Sequence, residues 1–298
     1  MEQHLGELAA LGTAVCWASS SLAFSRAGRR VGTLPLNIIR LGMAFAFAAL
    51  AGTCLRGQPL PLDATGEQWL WLGLSGFLGF FLGDLCQFRA FVELGPRLTL
   101  LLMALSPPMT AVIDWLALGQ RLSPLSLAGM GLTFAGVAWV LSERTGPAAS
   151  VGSARRLRGV LLGLGGAVGQ AGGLVLSKRG MIGYEPFAGA QVRMIVGLAC
   201  FALLAAAVRA GPRPRAALQD RTALRQAAVG AALGPFLGVA LSLYALQTTA
   251  AGVAASLLST SPIFIIPLAW WFEGERASLR GIVGAVVAVA GVALLFAG

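Results

Sequence analysis

Residues 105–141 recur 155 positions later, at 260–296. Ser106-Pro107 falls on Ser261-Pro262, Trp115 on Trp270, Gly119 on Gly274, Arg121 on Arg276, and Gly136-Val137-Ala138 on Gly291-Val292-Ala293. The earlier parts of the two copies also align, at an offset of 153. Gly12-Thr13-Ala14-Val15 lies over Gly165-Gly166-Ala167-Val168, Arg26 over Arg179, and Arg40 over Arg193. The change of offset implies a two-residue difference in one loop. The chain therefore divides into a first repeat over 1–145, a connector over 146–154 and a second repeat over 155–298. The stretch Ser142–Arg158, rich in Gly, Ala, Ser and Arg, reads as a flexible connector.

What each copy can fold into follows from its hydrophobicity. Apolar residues make up 57% of the 298 and charged residues 11%, against about 45–50% and about 25% in soluble domains. The apolar residues are gathered in runs, and a helix of about 20 apolar residues spans a bilayer. Ten such runs can be read: Leu8–Phe24, Leu36–Leu55, Trp69–Phe91, Leu98–Leu118, Leu125–Leu141, Gly159–Leu176, Phe187–Val208, Ala223–Leu246, Gly252–Phe272 and Leu279–Ala297. The first lacks the basic start of a secretory leader and has an internal counterpart, so it reads as a retained span. Each repeat has five spans, an odd number, so the second must enter the membrane from the opposite side. The expected fold is an all-α integral membrane protein of ten transmembrane helices, arranged as two inverted five-helix repeats.

Charge placement supports inversion. Of 22 Lys and Arg, Arg40 and Arg193 lie inside spans. Sixteen of the others fall on one side, from Arg26, Arg29 and Arg30 through Arg89, Arg97, Arg144, Arg155, Arg156 and Arg158 to Arg209, Arg213, Arg215, Arg221, Arg225, Arg276 and Arg280. Arg56, Arg121, Lys178 and Arg179 fall on the other. Basic loops stay in the cytoplasm, which puts both termini outside a bacterial-type inner membrane. The bias favours the loop after the first span in copy one and the loop after the second span in copy two. The net charge of +10 is then a topology signal beside an anionic leaflet, and it calls for no nucleic-acid partner.

Ionisable groups inside spans are costly and mark candidate sites. Asp84 is the one acid well inside a span, and Gln87 lies on the same face one turn on. Asp84 could carry a coupling proton, bind a cationic group, or simply neutralise Arg40 or Arg89. Arg40 and Arg193 could meet substrate carboxylates, or snorkel to the interface and brace the fold. Gln170 stands where the first copy has Trp17, and Tyr244 and Gln247 close the eighth span. Met103, Ser256 and Ser259 lie near Pro107, Pro108, Pro262 and Pro267, which break the hydrogen-bond ladders of spans 4 and 9. These residues are the candidate cavity lining and the prolines the candidate gating kinks, with simple packing as the alternative for each. Gly129, Gly284 and Gly291 read as close-packing positions.

Other function classes fit poorly. The single histidine, His4, is terminal, the four cysteines are dispersed without CxxC spacing, and no phosphate loop with its lysine is present. No metal, cofactor, ATP site or catalytic set is therefore expected. Transport, if it occurs, is secondary.

The repeated motifs carry a family likeness. Ser106-Pro107…Gly119-Gln120-Arg121 and Ser261-Pro262…Gly274-Glu275-Arg276, each followed by a Gly-rich span containing Ala135-Gly136-Val137 or Ala290-Gly291-Val292, resemble the EamA-type branch of the drug/metabolite transporter superfamily. Arg40 and Arg193, early in the second span of each copy, are similar to the family pattern. Gln120 departs from the family's usual Glu, which Glu275 keeps. The resemblance implies a secondary transporter, an exporter of a small metabolite (amino acid, amine or nucleobase-like) or drug by alternating access. Its partners would be the substrate, the lipid bilayer and a coupling proton, and it would act as a monomer or homodimer. A non-transporting scaffold, receptor or accessory subunit is the alternative.

Overall fold

Each apolar run becomes a helix, and the helices overrun the apolar runs that define them. The computed structural model describes residues 2–118, 122–142, 153–208, 217–248, 251–275 and 277–297. Helices α1 (Glu2–Val31), α2 (Thr33–Arg56) and α3 (Gly66–Leu94) are followed by a divided span, α4a (Pro96–Met103) and α4b (Ser106–Leu118), and by α5 (Pro124–Leu141). The second repeat contains α6 (Ser153–Gly180), α7 (Pro186–Ala207), α8 over 221–248, the divided α9a (Ala251–Leu258) and α9b (Ser261–Glu273), and α10 (Leu279–Ala297). Among the described residues, nine helices are long and apolar enough to cross a membrane, and α8 is a tenth continuous helical stretch. Gly119, Gln120, Arg121, Arg144, Arg209, Arg213, Arg215 and Arg276 lie outside the described residues, as do most of the connector positions. The expected flexible stretch Ser142–Arg158 needs correction at its end. Ser153–Arg158 forms the first turns of α6, and Arg156 donates to the Leu141 carbonyl at 2.7 Å.

Local chemistry fixes where the helices begin. Thr65 and Gln68 form a reciprocal capping box, the Thr65 amide donating to Gln68 Oε1 at 2.8 Å and the Gln68 amide to Thr65 Oγ1 at 3.3 Å. Glu185 caps α7 through the amides of Phe187 and Ala188, with Pro186 in the first turn. Asp220 caps α8 through Thr222 and Ala223. Each cap satisfies orphan amides of a first turn and favours the positive end of the helix dipole.

Packing follows the repeat. The α1–α8 contact is matched by α6–α3, the α1–α9 contact by α6–α4, and α2–α7 and α5–α10 lie across the pseudo-twofold axis. The α5–α10 seam is a backbone contact: a Cβ added at Gly129 would lie 2.4 Å from the Leu295 nitrogen, and one at Gly291 2.4 Å from the Thr133 nitrogen. Thr133 and Ser126 donate across the seam to the Ala288 and Leu295 carbonyls at 3.3 and 3.2 Å. Small residues that let backbones meet are how helices associate without a hydrophobic driving force.

Both third spans contain a π-helical stretch at equivalent places, Gly76–Gly83 in α3 and Ala232–Gly238 in α8. Glycines in both and Pro235 in the second weaken the ordinary ladder there. Such segments are rare and concentrate at functional sites. Gly79 and Gly83 let α6 come very close, so that a Cβ on Gly169 would sit 2.6 Å from the Gly83 Cα.

The two ends of the bundle differ. At the end that carries Arg26, Arg29, Arg30 and Arg97, α4a packs on α9b. Arg97 pairs with Glu275 at 2.7 Å, Arg29 pairs with Glu273, and Arg30 pairs with Asp220 at 2.9 Å. The symmetry-equivalent contact, α4b with α9a, is not made to a comparable extent among the described residues. At that opposite end α4b is tied to α6 through Asp114 and Lys178. There too, Arg56, Asp63, Tyr184 and Glu185 form a network, with Arg56 2.7 Å from Asp63 and 3.9 Å from Glu185, and the Tyr184 hydroxyl donating to Asp63 at 3.0 Å.

Candidate functional site

Asp84 begins the α-helical part of α3, directly after the π-helical stretch. It is 2% exposed, and both its oxygens are engaged. Oδ2 accepts from Arg40 of α2, and Oδ1 accepts from the side-chain amide of Gln170 of α6 at 3.0 Å. Three spans from two repeats thus meet at one carboxylate. The Arg40 guanidinium lies over the Phe88 ring at 4.4 Å and near Phe24 at 5.7 Å, and Arg40 is 8% exposed. Arg40 therefore turns inward and does not snorkel to the interface, because Asp84 offers it an anion and the two rings offer it π faces. Arg89 takes a different acid, pairing with Glu93 at 2.8 Å.

Arg193 is the pseudo-equivalent of Arg40 but is provided for differently. It lies over Phe80 at 4.4 Å and beside Gly79 of α3. Its Nε has no hydrogen-bond partner. Arg40 Nε is likewise unsatisfied. The cluster holds two arginines and one acid. A charge inside a span is costly unless it is paired, so an excess cation there needs an explanation.

The other sequence candidates are spread around this centre. Gln87 packs over Gly166 of α6, where an added Cβ would be 3.1 Å from its own. Trp17 lies against Gly238 in the π-helical stretch of α8, its ring nitrogen 2.8 Å from an added Cβ. Trp17 and Gln170 are thus equivalent neighbours of equivalent π-helical stretches. Met103 packs with Leu98, Leu101 and Leu102 at the end of α4a. The Ser259 hydroxyl donates to the Ala255 carbonyl of its own helix at 2.8 Å. Tyr244 is 41% exposed, and the Gln247 side chain lies outside what the structure describes.

The prolines act as helix starters more than as mid-helix kinks. Pro107 and Pro108 open α4b and Pro262 opens α9b, where the missing N–H costs nothing. The spans break just before them, at Ala104-Leu105 and Ser259-Thr260. Of these four, Pro267 sits inside a helix, and it is exposed.

No group of three or more metal-binding side chains occurs among the described residues. The four cysteines are free thiols, in α1, α2, α3 and α7. The π-helical segments and the link from Gln170 to Asp84 were missed by sequence reasoning. The glycine spacing with Pro235, and the exchange of Trp17 for Gln170, were the available signals.

The fold has solved relatives. One crystal structure superposes over 97% of this chain and 95% of its own with a TM-score of 0.65, at 21% sequence identity, a likeness of fold. Among curated proteins, none matches the sequence. The family model of the EamA-like transporters matches residues 4–142 and again 157–297, one match for each repeat. With ten helical spans in two inverted repeats, this chain belongs to the EamA-like transporter family and is a multi-pass membrane transporter of the drug/metabolite type.

Proposed function

We propose that this transporter is a secondary exporter of a small metabolite or drug, working by alternating access around the cluster of Asp84, Arg40, Gln170 and Arg193. The unequal contact at the two ends of α4 and α9 carries this reading. Inverted repeats related by a pseudo-twofold should make each contact twice, and α4a–α9b has no counterpart of similar extent among the described residues. Exchanging the conformations of the repeats generates the second state: α4b closes on α9a as α4a leaves α9b. With the basic end in the cytoplasm, the conformation described is the outward-facing one, and the termini are outside. A scaffold needs neither inverted repeats nor unequal ends.

Asp84 is the coupling candidate. A proton on it would cancel the charge that holds Arg40 and Gln170, loosening α3 from α2 and α6 together. Cavity lining is assigned to Trp17, Gln87, Met103 and Gln170 around this point, with the breaks before Pro107 and Pro262 as the flexing elements. The test is flux of radiolabelled amino acids, amines, nucleobases and drugs in proteoliposomes, with and without a pH gradient. Asp84→Asn should abolish the dependence on the gradient. Unchanged flux and unchanged pH dependence in that variant would falsify the coupling role.

A further inference from the structure

The second repeat brings an arginine to the centre without an acid. Arg40 has Asp84, but the position equivalent to Asp84 in the second repeat is Val239. Arg40 and Gln170 each hydrogen-bond one oxygen of Asp84, and Arg193 pairs with neither. Other acids are committed elsewhere: Asp114 to Lys178, Glu93 to Arg89, Glu273 to Arg29 and Glu275 to Arg97. Arg193 makes no ion pair within 4.0 Å among the described residues, its Nε is buried without a partner, and Phe80 covers one face of the guanidinium. The residue as a whole is nevertheless only partly buried. Stacking on a ring fixes the plane of the fork and leaves its edge for a second group.

We infer that Arg193 is the anion seat of the transport site and that the substrate carries a carboxylate, which supplies the counter-charge the second repeat lacks. This rests on the transporter reading above. A planar carboxylate matches the guanidinium fork with two parallel hydrogen bonds and satisfies the orphan donor. An amine or other cation meets a centre that already has one positive charge too many, so it is rejected by the same arrangement.

A reporter thiol tests this whatever the substrate is. In the full chain with its four cysteines replaced by alanine, Phe80→Cys places a thiol beside Arg193. The anionic sulfonatoethyl methanethiosulfonate should modify it at least tenfold faster than the cationic trimethylammonium analogue. The preference should vanish in Arg193→Gln and persist in Arg193→Lys, and benzoate, but not benzamide, should slow the reaction when Arg193 is present. Equal rates, faster cationic modification, an inert thiol, or protection by benzamide equal to that by benzoate would each overturn the proposal. Flux separates this inference from the reading beneath it. A neutral or cationic compound carried equally well by wild type and Arg193→Gln overturns the anion seat and leaves the transporter. The expected thiol pattern without flux of any compound leaves the anion seat and removes the transport cycle.

Discussion

Gln170 donates to Asp84 Oδ1 across 3.0 Å, joining the sixth span to the third. The two residues belong to different repeats. Any motion of one repeat against the other that parts α3 from α6 must break this bond or carry it along. Arg40 on the other oxygen makes the same carboxylate a joint between α2 and α3.

The charge balance at this joint predicts an asymmetry between two equivalent arginines. Asp84→Asn leaves Arg40 and Arg193 buried without an anion and should cost about 3–5 kcal/mol. Arg40→Gln removes the partner of a buried acid and should cost a similar amount. The double variant should recover much of the loss, since coupled partners are not additive. Arg193→Gln removes an uncompensated charge and should melt no lower than the parent. Thermal unfolding of the four proteins in one detergent checks this ordering.

The seam between α5 and α10 should tolerate no side chain. Gly129→Ala puts a methyl 2.4 Å from the Leu295 nitrogen, whereas Gly131→Ala meets nothing within 4 Å. The first should destabilise by about 1–3 kcal/mol or more, because backbone cannot move aside as a side chain can. The second should be neutral or slightly stabilising. Unfolding in mixed micelles by titration with a denaturing detergent gives both numbers.

The network at the less basic end sets a pH window. At Asp63 burial works against ionisation, but hydrogen bonds from Arg56 and Tyr184 hold its carboxyl below the usual 3.8. Burial, then the hydrogen bond to Asp63, pushes the Tyr184 phenol from 10.0 to about 12. A depressed acid stabilises above its ordinary pKa, and the gain is lost as pH falls through the folded value. A raised phenol stabilises below its ordinary pKa, and that gain is lost as pH rises through about 12. The network should therefore hold from roughly pH 4 to pH 10. Tyr244→Phe leaves Tyr184 as the remaining tyrosine of two. Its phenolate absorbance should appear with a midpoint near 12, and at lower pH once Asp63→Asn is added. A midpoint at the ordinary value of about 10 in the parent contradicts the network.

The ion pairs at the basic end should act as a clasp on the described conformation. The Arg97 and Glu275 side chains are 11% and 17% exposed, so the pair is partly shielded from solvent. Glu275→Gln should weaken this end by about 1 kcal/mol. A cysteine at position 103, in an otherwise cysteine-free chain, should then react roughly fivefold faster with an impermeant reagent from the basic side.

Much of this architecture is legible in the sequence. Duplication, an odd span count and the alternating bias of arginines are one-dimensional, so they survive there. Asp84, Arg40, Arg193 and Gln170 can each be singled out, three as charges in apolar runs and one as a break in the repeat. Their meeting cannot be read, because it depends on which way Arg40 turns and how closely α6 approaches α3. That approach rests on the π-helical stretch at Gly76–Gly83, a change of hydrogen-bond register that residue types only hint at. Ser259 misleads for the opposite reason. A hydroxyl near a helix break looks available, but its own helix supplies a carbonyl one turn back.

The exchange of contacts between α4 and α9 can be measured directly as a distance. Spin labels on Trp115→Cys in α4b and Val253→Cys in α9a, both exposed positions at the less basic end, report whether that end closes. Double electron–electron resonance on the cysteine-free chain in nanodiscs should show two populations, the shorter one gaining weight when Glu275→Gln releases the opposite end. One distance, unmoved by Glu275→Gln and by pH, would contradict alternating access in this protein.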